Sequence, residues 1–110
     1  MPPAKADLLQ GTLDLIVLRL LRAGPANGWD LTQSIQTVSR GVLDVNYGSV
    51  YPALRRLEGR GYVTATWGAS ENNRRARYYE LTSAGQKQLA VERASWKRFS
   101  QALGLILAGD

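Results

Sequence analysis

Asn46-Tyr47-Gly48-Ser49-Val50-Tyr51-Pro52-Ala53-Leu54-Arg55-Arg56-Leu57-Glu58, then Tyr62-Val63-Thr64-Ala65-Thr66-Trp67, then Arg77-Tyr78-Tyr79-Glu80-Leu81 is the stretch that decides the fold. In its first segment Val50, Leu54 and Leu57 recur at i, i+4 and i+7, which stacks them on one face of a short helix. At about 100° per residue, Gly48, Ser49, Pro52, Arg55 and Arg56 fall on the opposite face, with Tyr51 at its edge. That outer face is cationic at one end and free of bulk at the other, so its backbone can approach a groove wall closely. Pro52 costs nothing if the helix starts near Gly48, because N–H groups of the first turn have no helical partner. Deeper in the helix it would kink it.

The second segment alternates. Val63, Ala65 and Trp67 interleave with Thr64 and Thr66, and Tyr79 and Leu81 with Tyr78 and Glu80, a pattern of β-branched and aromatic residues that favours strands. Between them Gly68 to Ala76 is polar turn chemistry. This β-hairpin delivers Arg74, Arg75 and Arg77 close together at its tip, where they suit phosphate contact or insertion into a minor groove. The plain alternatives are an amphipathic helix with solvated arginines and a solubilising loop. A basic helix followed at once by a basic hairpin argues against both.

Working outward, 110 residues make one domain with a modest core. Lys plus Arg number 14 and Asp plus Glu 9, a net charge of +5. Residues 1–47 are balanced, and the surplus lies in the helix–hairpin unit and the C-terminal segment, the footprint expected of a polyanion binder. The chain contains no Cys and no His. That excludes disulfides, Cys- or His-ligated metal sites and any Ser–His or Cys–His nucleophile pair. Asp7, Asp14, Asp30 and Asp44 are scattered through separate elements, so no carboxylate pair suggests an enzyme, and no catalytic residue, metal or cofactor is assigned. The N-terminal Met1 to Ala6 lacks the apolar core of a signal peptide, and no apolar run is long enough to span a bilayer. A cytoplasmic protein with no membrane partner is expected.

Residues 1–6 read as a loose arm. A first helix runs from about Leu8 or Thr12 to Ala23, with Leu9, Leu13, Ile16, Val17, Leu20 and Leu21 as its stripe, Gly11 arguing against an earlier unbroken start, and Gly24-Pro25 ending it. A second begins at Asn27, a good N-cap with Asp30 in its first turn, buries Leu31, Ile35 and Val38, and closes at Arg40-Gly41. Trp29 reads as packing. Val42 to Val45 can form a short extended segment. The order helix, helix, short strand, helix, two strands is that of a winged helix-turn-helix, in which the third helix enters the major groove of double-stranded DNA. The fold class is mainly α (α+β): a winged helix-turn-helix unit over residues 1–81, then a long C-terminal dimerisation helix over residues 82–110.

Thr82 caps that last helix, which continues to about Leu107, with Gly85 a weak spot in its first turn. Leu89, Trp96 and Leu103 are seven apart. Phe99 and Ile106 fill the alternate heptad position, and Glu92 breaks the pattern. So long a stripe cannot be buried on a three-helix domain alone, which predicts a homodimer through Leu89, Trp96, Phe99, Leu103 and Ile106. Two reading helices would then stand about 34 Å apart, matching a pseudo-palindromic operator.

Asn27-Gly28-Trp29-Asp30-Leu31, the run from Gly48 to Glu58, and Arg77-Tyr78-Tyr79-Glu80-Leu81-Thr82-Ser83-Ala84-Gly85 together resemble the PadR family of transcriptional regulators, over roughly residues 7–107. The resemblance implies a dimeric winged helix that binds promoter DNA, usually as a repressor, in the short form with a single C-terminal helix. Ser70-Glu71-Asn72-Asn73 departs from the shorter Gly- or Pro-containing wing turn common in that family. The resemblance also implies an effector site, because in some relatives flat aromatic molecules bind at the dimer interface. Trp96 is the candidate for stacking on such a small aromatic ligand.

On this reading Arg55, Arg56, Arg74, Arg75 and Arg77 supply phosphate and some base contacts. Ser49 and Tyr51 sit at the helix N-terminus, where hydrogen bonds to phosphate or base edges are favoured. Arg55 or Arg56 can pair bidentately with guanine. The competing reading is a winged-helix protein-interaction module that binds no specific DNA. The two differ in salt dependence, which several phosphate contacts make steep.

Overall fold

The computed structural model describes the backbone of residues 3–109 and the side chains of residues 11–109. The elements in chain order are α1 (Pro3–Leu21), β1 (Ala26–Asn27), α2 (Gly28–Val38), α3 (Tyr47–Gly59), β2 (Val63–Ala69), β3 (Arg75–Leu81) and α4 (Ser83–Ala108). The three strands form one antiparallel sheet in the order β1-β3-β2.

The core is the set of apolar stripes meeting. Leu13, Val17, Leu18 and Leu21 of α1, Leu31 and Ile35 of α2, and Val50, Ala53, Leu54 and Leu57 of α3 close over Val63 and Tyr79 of the hairpin. The Asn27 cap forms as expected, its side-chain oxygen accepting the Asp30 N–H at 2.8 Å. Thr82 caps α4 in the same way, accepting from the Gly85 N–H at 3.0 Å. Gly85 is there for space: a Cβ would collide with the Tyr62 carbonyl oxygen, so the start of α4 lies directly on the link between α3 and β2.

Several expectations need correction. The first helix begins at Pro3 and runs unbroken through Gly11, so neither a start at Leu8 or Thr12 nor a loose arm holds from Pro3 onward. Met1 and Pro2, and the side chain of Leu9, lie outside the described residues. Proline suits the first helical position, and one interior glycine costs only about 1 kcal/mol. The short strand is Ala26–Asn27, pairing with Tyr79 and Tyr78, and not Val42 to Val45. That second segment is held instead by Gln36, whose side-chain amide donates to Asp44 at 3.0 Å and to the Val45 carbonyl at 3.3 Å. Val38, expected in the core, is 72% exposed at the end of α2. Leu89, expected at a dimer interface, is 3% exposed and belongs to the core of its own chain, because α4 leaves β3 directly and its first two turns lie against the body.

Candidate nucleic-acid interface

The helix α3 starts one residue earlier than the sequence suggested. Asn46 is its N-cap and accepts the Ser49 N–H at 3.1 Å. Pro52 therefore lies in the second turn, where it removes the N–H that the Gly48 carbonyl would have accepted. Gly48, Ser49, Pro52 and Arg55 are exposed, while Val50, Leu54 and Leu57 are buried beneath them. Tyr51 is half-buried, and its hydroxyl accepts from Arg55 Nη1 at 3.1 Å. That hydrogen bond holds the Arg55 guanidinium above its ordinary pKa.

Arg56 leaves the outer face. Its Nη2 donates to Asp14 Oδ1 of α1 at 2.7 Å, and its Nε approaches Asp14 Oδ2 at 3.4 Å. Arg56 sits roughly 120° from the centre of the apolar stripe, a flank from which a long side chain reaches a neighbouring helix. It is a tie between α1 and α3 rather than a member of the exposed basic face.

The hairpin register explains the wing. Val63 pairs with Leu81, Ala65 with Tyr79, Trp67 with Arg77 and Ala69 with Arg75, so all eight side chains share the helix-facing side. Near the body this face is core. Beyond it the hairpin projects past the helices, and Trp67 is 60% exposed. Arginines cover it instead, with the Arg75 guanidinium 4.9 Å and the Arg77 guanidinium 5.8 Å from the ring centroid. Arg77 also donates to Glu58 of α3 at 3.0 Å, tying the wing to α3. The strands are longer than expected, and the turn is only Ser70 to Arg74. It is closed by Ser70 N–H to the Arg74 carbonyl at 2.8 Å, with Asn73 in the left-handed region that asparagine tolerates. Arg74 and Arg75 stand exposed at this tip.

Between the first turns of α2 and α3 and the wing lies an open cleft of about 610 Å³, with Trp29, Tyr47, Tyr51, Trp67, Arg75 and Tyr79 among its lining residues. Gly28 allows the two helix starts to meet there, since a Cβ would collide with the Tyr47 ring. The outer half of α4 carries Trp96, Phe99, Leu103 and Ile106, all substantially exposed, with the Trp96 and Phe99 rings 5.7 Å apart. Trp96 also lines an apolar groove of about 600 Å³ with Leu15, Ile16, Leu20, Ile35 and Val38. Among the described residues no helix is long and apolar enough to cross a membrane, and no group of acidic side chains is placed to hold a metal.

Residues 17–91 match the Transcriptional regulator PadR-like family. The chain belongs to that family. A PadR family transcriptional regulator from Eggerthella lenta is 28% identical, with 97% of this chain and 91% of the other covered and a TM-score of 0.80. A PadR-like transcriptional regulator from Bacillus cereus is 26% identical, with 94% and 99% covered and a TM-score of 0.79. The negative transcriptional regulator PadR of Bacillus subtilis is 26% identical over 77 residues, 70% of this chain and 42% of that protein. This PadR-like chain is thus a winged-helix transcriptional regulator, from a family of regulators rather than enzymes.

The residues missed in this PadR-like sequence were each half-signalled. Asp14 falls on the stripe of Val17, Leu18 and Leu21, and an acid on a buried stripe demands a cation. Trp29 was assigned to packing but is 62% exposed, because it lies on the side of the first turn of α2 that lines the cleft, while Leu31 of the same turn enters the core.

Proposed function

We propose that the protein is a dimeric transcriptional repressor that reads a pseudo-palindromic operator through α3 and grips the flanking backbone with its wing. The observation that carries this is that Arg55 of α3 and Arg74 and Arg75 of the wing tip are exposed together with Ser49 and the small residues Gly48 and Pro52. Arg55, Ser49 and Tyr51 act in the major groove, where an arginine pairs bidentately with guanine. Arg74 and Arg75 act on phosphates or in the adjacent minor groove. Arg77 positions the wing through Glu58. The Bacillus subtilis relative is named a negative regulator, which favours repression.

The unpartnered stripe of Trp96, Phe99, Leu103 and Ile106 supports dimerisation through α4 of a second copy, which would also cover Val38. Trp96 lining an apolar groove supports a small aromatic effector there, with release of DNA as its consequence. Loss of dye binding in Trp96→Ala tests this, and unchanged binding of every aromatic dye removes it.

The experiment for the whole reading is selection from a random duplex pool at two salt concentrations, on protein of measured oligomeric state. Enrichment of an inverted repeat with half-sites about one turn apart is expected, with a steep loss of affinity at higher salt. Weak enrichment without a motif from a dimer would favour a protein-interaction module instead.

A further inference from the structure

The wing is basic as a whole, but its apex is not. The Asn73 N–H donates to the Ser70 carbonyl at 2.9 Å, and the Ser70 N–H to the Arg74 carbonyl at 2.8 Å. Glu71 and Asn72 are therefore the two central residues of a β-turn, the part of the hairpin furthest from the body, and both are exposed. Behind them the cations are drawn back. Arg75 pairs with Ala69, yet its guanidinium lies 4.9 Å from the centroid of the Trp67 ring, further down the ladder towards the body. Arg77 is held by Glu58. Arg74 flanks the turn, and among the described residues no ion pair joins it to Glu71. The leading charge of the wing is a carboxylate.

A carboxylate can only accept hydrogen bonds. In a minor groove an A·T pair shows acceptors alone, whereas a G·C pair adds the guanine N2 amino group, a donor. Stiff A-tracts also narrow the groove and deepen its negative potential, which draws in cations and repels an acid. Both effects carry the same sign. An arginine at the apex would favour A·T flanks, and a glutamate there disfavours them. Asn72 beside it both donates and accepts, so it does not choose.

We infer that Glu71 is a specificity-determining residue, which turns the wing away from A·T-rich flanks of the operator and towards G·C pairs, whose guanine amino group meets its carboxylate. The inference rests on the DNA-binding reading above and deepens it. Arg74 and Arg75 grip the phosphates on the groove walls, while Glu71 tests what lies between them. The selection works by penalty as much as by contact.

Glu71→Gln in the full chain keeps the shape of the side chain and removes its charge. The inverted repeat recovered by selection is placed between flanks of either A-tract or mixed G·C sequence, and binding to both duplexes is titrated. The parent should bind the A-tract duplex about tenfold more weakly, and Glu71→Gln should close most of that gap by gaining affinity on A-tract flanks. Replacing adenine by 2,6-diaminopurine adds the amino group to the same tract. That change should restore the parent's affinity and matter little to the variant. Melting temperatures of parent and variant should agree, because Glu71 is exposed. Equal gains on both flanks would reduce Glu71 to a general repulsion and overturn the inference. A parent indifferent to its flanks, or a gap that persists in Glu71→Gln, would overturn it too, and each of these results leaves the DNA reading standing. A parent that binds no duplex, or binds without a motif, removes both.

Discussion

Arg56 on α3 and Asp14 on α1 form an ion pair at 2.7 Å, with only 27% and 11% of their side-chain surfaces exposed. The pair divides two adjacent arginines into different jobs. Arg55 points outward to Tyr51, while Arg56 anchors the helix that presents it. Arg56→Ala leaves a mostly buried carboxylate without its cation, at a cost of about 1–3 kcal/mol. The urea midpoint should fall accordingly and the selected operator sequence should not change. A changed sequence preference at unchanged stability would sink this division of labour.

Arg55, Arg74 and Arg75 should separate by salt and by sequence. Arg74→Ala and Arg75→Ala should weaken binding evenly across sequences, each lowering the slope of log affinity against log salt by about 1. Arg55→Ala should instead cost about 1–3 kcal/mol at one position of each half-site and relax the preference there. Binding titrations on single-base operator variants at several salt concentrations check both.

What the sequence revealed and concealed follows from the range of the interactions. The α3 stripe of Val50, Leu54 and Leu57, the caps Asn27 and Thr82, and the hairpin were legible because periodicity, capping and alternation act within a few residues. Arg56 with Asp14 and Arg77 with Glu58 were not, because each pairing depends on how separate elements dock. Leu89 and Trp96 occupy the same heptad position, yet one is buried and the other 47% exposed. No local rule says where along α4 the body of the domain ends. Trp67 shows the same limit: alternation puts it on the face of Val63 and Ala65 but does not say whether anything covers it, and it is 60% exposed.

Gly85 and Gly11 should respond oppositely to alanine. At Gly85 a new methyl would meet the Tyr62 carbonyl oxygen, a backbone atom that cannot step aside, so Gly85→Ala should destabilise by roughly 1–3 kcal/mol. At Gly11 nothing lies within 4 Å, and the position is interior to α1, so Gly11→Ala should stabilise by about 0.5–1 kcal/mol. Thermal melts of the two variants beside the parent decide this.

Leu103 and Leu89 offer a second contrast, which tests the proposed dimer. Leu103 is 41% exposed on the outer half of α4, so Leu103→Glu should leave the fold intact and shift the protein to a monomer. Leu89→Glu places a carboxylate in the core and should abolish cooperative folding. Sedimentation and circular dichroism separate the two outcomes. A Leu103→Glu variant that stays dimeric would move the interface off this stripe.

Tyr79 sets an alkaline limit on stability. Burial raises its phenol above the ordinary 10.0, because the charged form would be cut off from water. Below pH 10 the group is neutral in both folded and unfolded chains, and its packing contribution is fully present. As pH rises past that point the unfolded chain releases the proton more readily than the folded one, so unfolding is favoured and the contribution is lost on approach to the folded-state value. The melting temperature of the parent should therefore fall more steeply above pH 10 than that of Tyr79→Phe, while the two run parallel at lower pH. Parallel curves throughout would mean that the phenol ionises as freely in the fold as in water, and that the ring is less enclosed than its position between β1, β2 and α3 requires.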